Sequence, residues 1–147
     1  MITFLDSGIL WRVLDPGHPE REPCLELMRR CFTHKPAFIS GVNAVVVVET
    51  MIHLVKRSRI HPSKAANLLW NGFLRSESRV IVYPISHSTL REALMEQSKH
   101  PEVEFPDCVI AASMRENRIT QIYTTNPTHF LEFDFIEKAI DPRHQHT

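Results

Sequence analysis

Apolar and polar residues alternate along this chain with two different periodicities. Short apolar runs bounded by turn residues predict buried strands, and longer segments with apolar residues three and four positions apart predict helices. The predicted strands are Ile2–Leu5, Ala37–Ser40, Val80–Tyr83 and Gln121–Thr124. The predicted helices are Ile9–Leu14, Arg21–Phe32, Val42–Arg57, Pro62–Arg75, Ser86–Lys99 and Asp107–Glu116. Strands that alternate with helices predict an α/β domain with a mostly parallel sheet.

The segment Val45–Val48 is difficult to assign, because four β-branched residues in a row favour a strand. Its surroundings favour a helix, since Asn43 is a good N-cap residue and the helical apolar spacing continues through Ile52 and Val55. Apolar positions run nearly all round the axis of this helix, so we expect it to be largely buried. Glu49 lies near its middle, and a buried glutamate needs a cation or a hydrogen-bond donor.

The length of 147 residues and the 43% hydrophobic content suit one domain, predicted over residues 1–141 and followed by a flexible polar tail over 142–147. The chain has no apolar run of membrane-spanning length and no signal-peptide pattern, so we expect a cytoplasmic protein without a membrane segment. Its cysteines show no Cys-x-x-Cys spacing and are interpreted as packing residues: Cys24, Cys31 and Cys108.

Basic and acidic residues balance at 17 each, which argues modestly against nucleic-acid binding, although local clustering matters more than the sum. The densest basic segment contains Lys56, Arg57 and Arg59, which are candidates for contact with an RNA backbone. The alternative is a solvated helix end that complements the helix dipole. Arg12 is placed to contact a phosphate, with an ion pair to a carboxylate as its alternative.

Three carboxylates follow or face the ends of predicted strands. Asp6 comes directly after the first strand, Glu49 lies in the third predicted helix, and Asp107 opens the last one. Ligands of parallel sheets bind at the carboxyl ends of the strands, where these side chains would repel one another unless a cation lay among them. Oxygen ligands favour Mg²⁺ or Mn²⁺. The structural alternatives are a turn residue for Asp6, a buried ion-pair partner for Glu49 and a helix cap for Asp107.

Four blocks of the sequence, in this order, resemble the signature blocks of the PIN-domain family, and among its members the VapC-type toxins: Phe4–Leu10, Glu49, Phe105–Ala112 and Tyr123–Phe130. The resemblance spans nearly the whole chain. It implies a three-layer α/β/α sandwich and a metal-dependent endoribonuclease that holds Mg²⁺ or Mn²⁺ through Asp6, Glu49 and Asp107. It also implies an antitoxin partner and a homodimer.

The last block departs from the family pattern, in which an aspartate often stands where this chain has Asn126 or His129. Both residues are candidate ligands or phosphate contacts, with a surface-loop role as the alternative for His129. Ser7 and Thr124 are candidate donors that orient a ligating carboxylate. Three other acidic residues lie close enough in sequence to replace the missing carboxylate: Glu102, Glu104 and Asp134.

The predicted activity is hydrolysis of RNA phosphodiester bonds, in which a bound ion activates water and neutralises developing charge. Single-stranded or loop RNA is the expected substrate, because its backbone and bases can enter a small cleft. The incomplete acidic set supports an alternative, in which the fold is catalytically weakened and binds RNA or a protein partner.

Overall fold

The centre of the molecule is a parallel sheet of five short strands. The computed structural model describes residues 1–33, 38–76 and 79–144. The strands are β1 (Ile2–Leu5), β2 (Ile39–Asn43), β3 (Val80–Tyr83), β4 (Gln121–Tyr123) and β5 (Lys138–Ile140). They lie in the order β3-β2-β1-β4-β5, and every neighbouring pair is parallel. The predicted α/β class is therefore confirmed.

Helices connect all of the strands. They are α1 (Ser7–Leu14), α2 (Arg21–Thr33), α3 (Ala44–Ile52), α4 (Pro62–Leu69), α5 (His87–Lys99), α6 (Phe105–Glu116) and α7 (Pro127–Phe130). Two of them continue as wider π-helical turns, α3 into His53–Arg57 and α4 into Trp70–Leu74. Within the described ranges, no helix combines the length and the apolar character that a membrane crossing requires.

The direction of the chain across the sheet reverses once. From β1 the chain moves through β2 to β3 at one edge, and it then returns to β4 and β5 on the other side of β1. Right-handed crossovers in opposite directions place α1 to α4 on one face of the sheet and α5 to α7 on the other. The result is the predicted three-layer α/β/α sandwich, with its switch point between the carboxyl ends of β1 and β4.

The core is apolar and continuous beneath this switch point. Phe4, Ile122 and Phe130 are completely buried in it, and they fix β1, β4 and α7 relative to one another. The three cysteines, Cys24, Cys31 and Cys108, are buried and free, as predicted. Close packing holds the strand ends rigidly, so polar side chains placed there have defined positions.

The boundary between β2 and α3 differs from the prediction. The predicted strand Ala37–Ser40 begins outside the described residues, and the observed strand continues through Val42 and Asn43, which pair with β3. The predicted helix Val42–Arg57 accordingly starts at Ala44, and Asn43 caps it as predicted by accepting a hydrogen bond from the Val46 N–H. Apolar periodicity could not locate this junction, because the residues on both sides of it are apolar.

The expectation that α3 is largely buried is wrong. Val46 and Thr50 are buried, whereas the side chains of Val48 and Ile52 are 56% and 51% exposed. The helix contacts α1, α4 and α6 but no element covers its outer stripe in the chain as described. Glu49 is consequently half-buried rather than enclosed.

The C-terminal region contains elements that were not predicted. The strand β5 has three residues, one of them a lysine, and α7 has four, so neither carries a periodic pattern long enough to detect. Pro142–His144, predicted as part of the flexible tail, form a 3₁₀ turn that Arg143 ties to Asp141 and Glu20. Residues 145–147 of the predicted tail lie outside the described residues.

Candidate active site

Asp6 lies at the switch point and is held there by two hydrogen bonds. It ends β1 and caps α1, with one carboxylate oxygen accepting from the Ser7 N–H at 2.8 Å. The other oxygen accepts from the Thr124 hydroxyl at 2.7 Å. Thr124 itself accepts from the backbone N–H of Asn126 at 3.0 Å, so its hydroxyl proton is directed at Asp6. Thr124 thus makes the contact predicted for an orienting donor.

Glu49 reaches the same cleft from α3. Its carboxylate oxygen Oε1 lies 3.4 Å from the Ser7 hydroxyl, which donates to it. Ser7 therefore contacts two of the carboxylates, through its backbone N–H to Asp6 and through its side chain to Glu49. This arrangement matches the predicted role of Ser7 in orienting a carboxylate. The carboxylate that accepts from the Ser7 hydroxyl is that of Glu49.

Asp107 does not cap α6. The helix begins at Phe105 with Glu104 at the N-cap position, so Asp107 lies in the first turn and is buried there. Phe105-Pro106 extends the helix beyond the predicted start, because proline is well tolerated at the first positions of a helix. The Asp107 carboxylate is left free to face the cleft, where its Oδ2 lies 3.3 Å from Nδ1 of His129.

The three carboxylates disfavour one another's ionisation. Burial raises the pKa of Glu49 to about 7, and the charges of Asp6 and Asp107 add to the shift. The pKa of Asp107 is also raised, mainly by burial and then by Asp6, while the hydrogen bond from His129 opposes the increase. Burial raises the pKa of Asp6 despite its bonds to Thr124 and Ser7. Such a cluster stores repulsion that a cation relieves.

The raised pKa of Glu49 makes a prediction about metal-free stability. Between its ordinary value of 4.5 and about 7, the folded protein holds a proton on Glu49 that the unfolded chain has released. The folded state then binds more protons, so this group lowers the free energy of unfolding progressively as pH rises through that window. We expect Glu49→Gln to gain stability over the wild type at pH 8 and to gain little at pH 5.

The measurement is urea denaturation in EDTA across that pH range. The quantity compared is the difference in free energy of unfolding between the wild type and Glu49→Gln. His18 and His53 contribute the opposite slope, because burial lowers their pKa, and the difference cancels their contribution. Glu137→Gln, at an exposed position outside the cleft, is the matched control and should show a constant difference. A constant difference for Glu49→Gln as well would contradict the prediction.

The cleft around these carboxylates has a volume of about 320 Å³. Besides Asp6, Glu49 and Asp107 it is lined by Ser7, Gly8, Trp11, Arg12, His53, Arg57, Glu104, Thr125, Asn126 and Arg143. Its wall requires a glycine at position 8, because a Cβ there would lie 2.8 Å from the Thr125 hydroxyl oxygen and 3.3 Å from Arg12 Nη1. The first turn of α1 therefore packs directly on the loop after β4.

Of the acidic residues considered as a replacement for the missing carboxylate, Glu104 lines the cleft, at an exposed position. Glu102 instead faces His100. Asp134 is not among the described residues that line the cleft. Asn126 lines it, and His129 contacts Asp107, so both sequence candidates lie near the carboxylates.

The structure places only some of the basic candidate residues at the cleft. Arg57 lines the cleft and stacks over the Trp11 ring at 5.4 Å, whereas Lys56 and Arg59 are exposed beyond the end of α3. Arg12 also lines the cleft, but it makes the ion pair that was its alternative, with Glu20 at 3.1 Å. The local positive charge at the cleft thus comes from isolated arginines rather than from the basic segment as a whole.

Several cleft residues were not predicted from sequence. Trp11 is a wall of the cleft and stacks on His53 with ring centroids 4.9 Å apart. His53 falls in the π-helical turn after α3, whose wider pitch no sequence pattern indicated. Arg143 belongs to the segment predicted as tail. Their sequence contexts carry no motif.

The donor set of the cleft suits a hard divalent cation. Carboxylate oxygens dominate it, and burial together with neighbouring negative charge raises the pKa of Glu49 and Asp107, so bound positive charge would be favoured. Among the described residues, only His100, Glu102 and Glu132 place three ligand atoms within 4.8 Å of one another, at a separate and mostly exposed position. The three cleft carboxylates are spaced more widely, which suits an ion that keeps several water ligands, as Mg²⁺ does.

The sequence matches the PIN domain family model over residues 3–136, and the chain therefore belongs to the PIN-domain family. Comparison with curated proteins gives no match. Among solved structures, the fold resembles VapC20 of Mycobacterium tuberculosis, described as a toxin that cleaves the Sarcin-Ricin loop. The identity is 20% and the TM-score 0.66, with 83% of this chain and 87% of that chain covered.

Two further solved structures are similar over nearly their whole length. A chain of VapBC2 from Rickettsia felis, bound to a DNA fragment from the promoter, is 16% identical with a TM-score of 0.67, covering 96% of this chain and 100% of that chain. A chain of FitAcB from Neisseria gonorrhoeae is 18% identical with a TM-score of 0.61, covering 98% and 99%. The family model confirms the predicted family, and the structural similarity confirms the predicted fold.

Proposed function

We propose that this protein is a metal-dependent endoribonuclease and the toxin of a toxin–antitoxin pair. The observation that carries the proposal is the convergence of Asp6, Glu49 and Asp107, from three different helices or strand ends, on one cleft at the switch point of a parallel sheet. Family membership supports a hydrolase, and the similarity to toxin structures supports the biological role.

Asp6, Glu49 and Asp107 would hold Mg²⁺ or Mn²⁺. When bound, the ion supplies Lewis acidity, which favours ionisation of water and neutralises charge that develops on the phosphate oxygens. The chain's own residues fix the geometry: Thr124 and Ser7 orient the carboxylates of Asp6 and Glu49 through the hydrogen bonds described above.

Glu49 is the best candidate for a general base among the three. In the metal-free protein burial raises its pKa to about 7, as it does for Asp107, so access to water decides between these two carboxylates. Glu49 is less buried than Asp6 and Asp107, so a water molecule can approach it. His129 is 41% exposed beside Asp107 and is placed to orient that carboxylate or to contact a phosphate.

The test is cleavage of a mixture of single-stranded and hairpin RNA by purified protein, with Mg²⁺ or Mn²⁺ and with chelator. We expect fragments with either metal and none in EDTA, with activity restored when metal is added back. Glu49→Gln, prepared in parallel, controls for contaminating nuclease, because a contaminant would be unaffected by the substitution. Equal cleavage by both proteins would refute the proposal.

A second candidate function is a binding module with weakened catalysis. Its support is the last signature block, in which Asn126 and His129 take positions where the family often has a carboxylate. Glu104 at the cleft rim offsets this loss in part. Metal-independent RNA binding without any cleavage in the same assay would favour this candidate.

The proposed partners are an RNA substrate, an antitoxin and a second copy of the chain. The similarity to a chain of a toxin–antitoxin complex from Klebsiella pneumoniae supports the antitoxin. Exposed apolar side chains support a protein interface and include Val48 and Ile52 on α3 and Leu90, Leu94 and Met95 on α5. We retain the homodimer as a proposal on that basis.

A further inference from the structure

Two arginines hold one glutamate at the rim of the cleft. The Glu20 carboxylate accepts hydrogen bonds from Arg12 Nε at 3.2 Å and Nη2 at 3.1 Å. It also accepts from Arg143 Nη1, at 3.2 Å on one oxygen and 3.0 Å on the other. Glu20 therefore joins two guanidinium groups that come from opposite ends of the chain, and Arg143 also holds the buried Asp141 carboxylate through Nε at 3.0 Å and Nη2 at 2.7 Å.

Both guanidinium groups are anchored to the backbone segments that carry the catalytic candidates. Arg12 Nη1 donates to the Gly8 carbonyl at 3.0 Å, two residues after Asp6. Arg143 Nη2 donates to the Thr125 carbonyl at 3.3 Å, one residue after Thr124, which binds Asp6. The distance between the arginines and the carboxylate cluster is thus fixed by the β1 and β4 ends.

The glutamate is the most exposed member of this group. The side chains of Arg12 and Arg143 are 11% and 20% exposed, whereas that of Glu20 is 42% exposed. It projects from the loop between α1 and α2, so it can move into solvent while the arginines stay in the cleft wall. A phosphodiester carries the same single negative charge and offers oxygen acceptors for the donors that Glu20 occupies, Nε and Nη2 of Arg12 and Nη1 of Arg143, while Asp141 keeps the other edge of Arg143.

We propose that Arg12 and Arg143 form a binding site for a backbone phosphate of the RNA, and that Glu20 occupies this site until the RNA displaces it. The proposal rests on the proposed ribonuclease function and names the residues that position its substrate. The remaining cleft is rich in carboxylates that repel a polyanion, so the two arginines supply attraction beside them. Glu20 then sets the affinity by competing with the phosphate.

The experiment measures binding of a fluorescein-labelled single-stranded oligoribonucleotide to the full chain by fluorescence anisotropy in EDTA, over a range of salt concentrations. We expect Glu20→Gln to bind several-fold tighter than the wild type and Arg143→Gln to bind several-fold more weakly. The slope of log affinity against log salt should fall by about 0.7 for Arg143→Gln, as one phosphate contact is lost. In metal-dependent cleavage, Glu20→Gln should lower KM with little change in kcat.

Glu22→Gln is the matched control, because Glu22 pairs with Arg29 on the exposed face of α2 and its loss changes the net charge equally. The double variant Glu20→Gln/Arg143→Gln should lose the gain of Glu20→Gln, since the gain requires the freed arginine. Circular dichroism is recorded for each variant, and if Arg143→Gln proves poorly folded, the comparison of Glu20→Gln with Glu22→Gln still decides the proposal.

Equal affinities for Glu20→Gln and Glu22→Gln, or a double variant that keeps the full gain, would overturn the phosphate site. The proposed function fails separately, through absence of metal-dependent cleavage by the wild type. RNA binding that follows the pattern above in a protein that never cleaves RNA would leave the phosphate site standing and refute the nuclease.

Discussion

Asp6→Asn is expected to reduce metal-dependent RNA cleavage at least about 100-fold, the lower range for loss of an essential acid–base or electrostatic group. Asparagine keeps an acceptor for the Ser7 N–H, and its amide group can donate to the Thr124 hydroxyl, which already accepts from Asn126. The local structure should therefore persist. What is lost is the negative charge at the centre of the carboxylate cluster.

The same substitution should leave the metal-free protein as stable as the wild type or more stable. Asp6 contributes to the raised pKa of both Glu49 and Asp107, and removing its charge relieves that repulsion. Cleavage assays and urea denaturation in EDTA measure the two effects on one preparation. Asp134→Asn, which changes the same charge at an exposed position, should alter neither quantity.

Two results would show that Asp6 is a structural turn residue. One is full activity in Asp6→Asn, and the other is a wild type that is clearly more stable without metal. Added Mg²⁺ should stabilise the wild type and leave Asp6→Asn nearly unchanged, because ligand binding to the folded state raises its stability. This third measurement separates loss of the ion from loss of a proton acceptor.

Much of this site could be predicted from sequence because its residues lie at strand ends with strong local signals. Asp6 follows a buried apolar run, and parallel strands bring such ends to one edge of the sheet. Helix α3 was predicted correctly against its β-branched content because a cap and helical spacing outweighed residue propensity. Tertiary contacts on one side of α3 then decided which of its valines are buried, and no periodic pattern encodes that choice.

The residues that escaped prediction are those that reach the cleft by tertiary contact alone. Arg143 lies in a short turn after a three-residue strand, and Glu20 lies in a loop, so neither has a motif or periodicity. Arg143 and Glu20 are joined by a hydrogen bond between residues that lie 123 positions apart in the sequence. The prediction that Asp107 opens α6 was wrong by one turn or less. Proline at the start of a helix resembles the end of a loop, so the sequence did not show that the helix begins before Asp107.

Asn43→Ala is expected to destabilise the protein by about 2–4 kcal/mol, through loss of a helix cap and of a buried hydrogen bond. The Asn43 side chain is completely buried, accepts from the Val46 N–H at 3.2 Å and donates to the Ser113 hydroxyl at 2.8 Å. It therefore joins the start of α3, which carries Glu49, to α6, which carries Asp107. Alanine leaves both partners buried without this bond.

The activity of Asn43→Ala should fall further than the loss of folded protein explains. The helices α3 and α6, which carry Glu49 and Asp107, lose the hydrogen bonds through Asn43 that connect them. A displacement of catalytic groups by about 1 Å can cost about 100-fold in rate. The measurement combines urea denaturation with cleavage at a temperature where each variant is fully folded. Ser113→Ala is the matched variant, since it removes the shorter of two hydrogen bonds from Asn43 to α6, leaves the bond to the Val109 carbonyl at 3.5 Å and keeps the cap of α3.

The double variant Asn43→Ala/Ser113→Ala completes a cycle that isolates the contact between the helices. Each single substitution leaves the other partner unsatisfied in the core, so the double variant should be less destabilised than the sum of the singles. Additive effects would mean that Asn43 acts only as a cap. In that case Ser113→Ala should also retain wild-type cleavage, and the relative placement of Glu49 and Asp107 would depend on apolar packing between α3 and α6 alone.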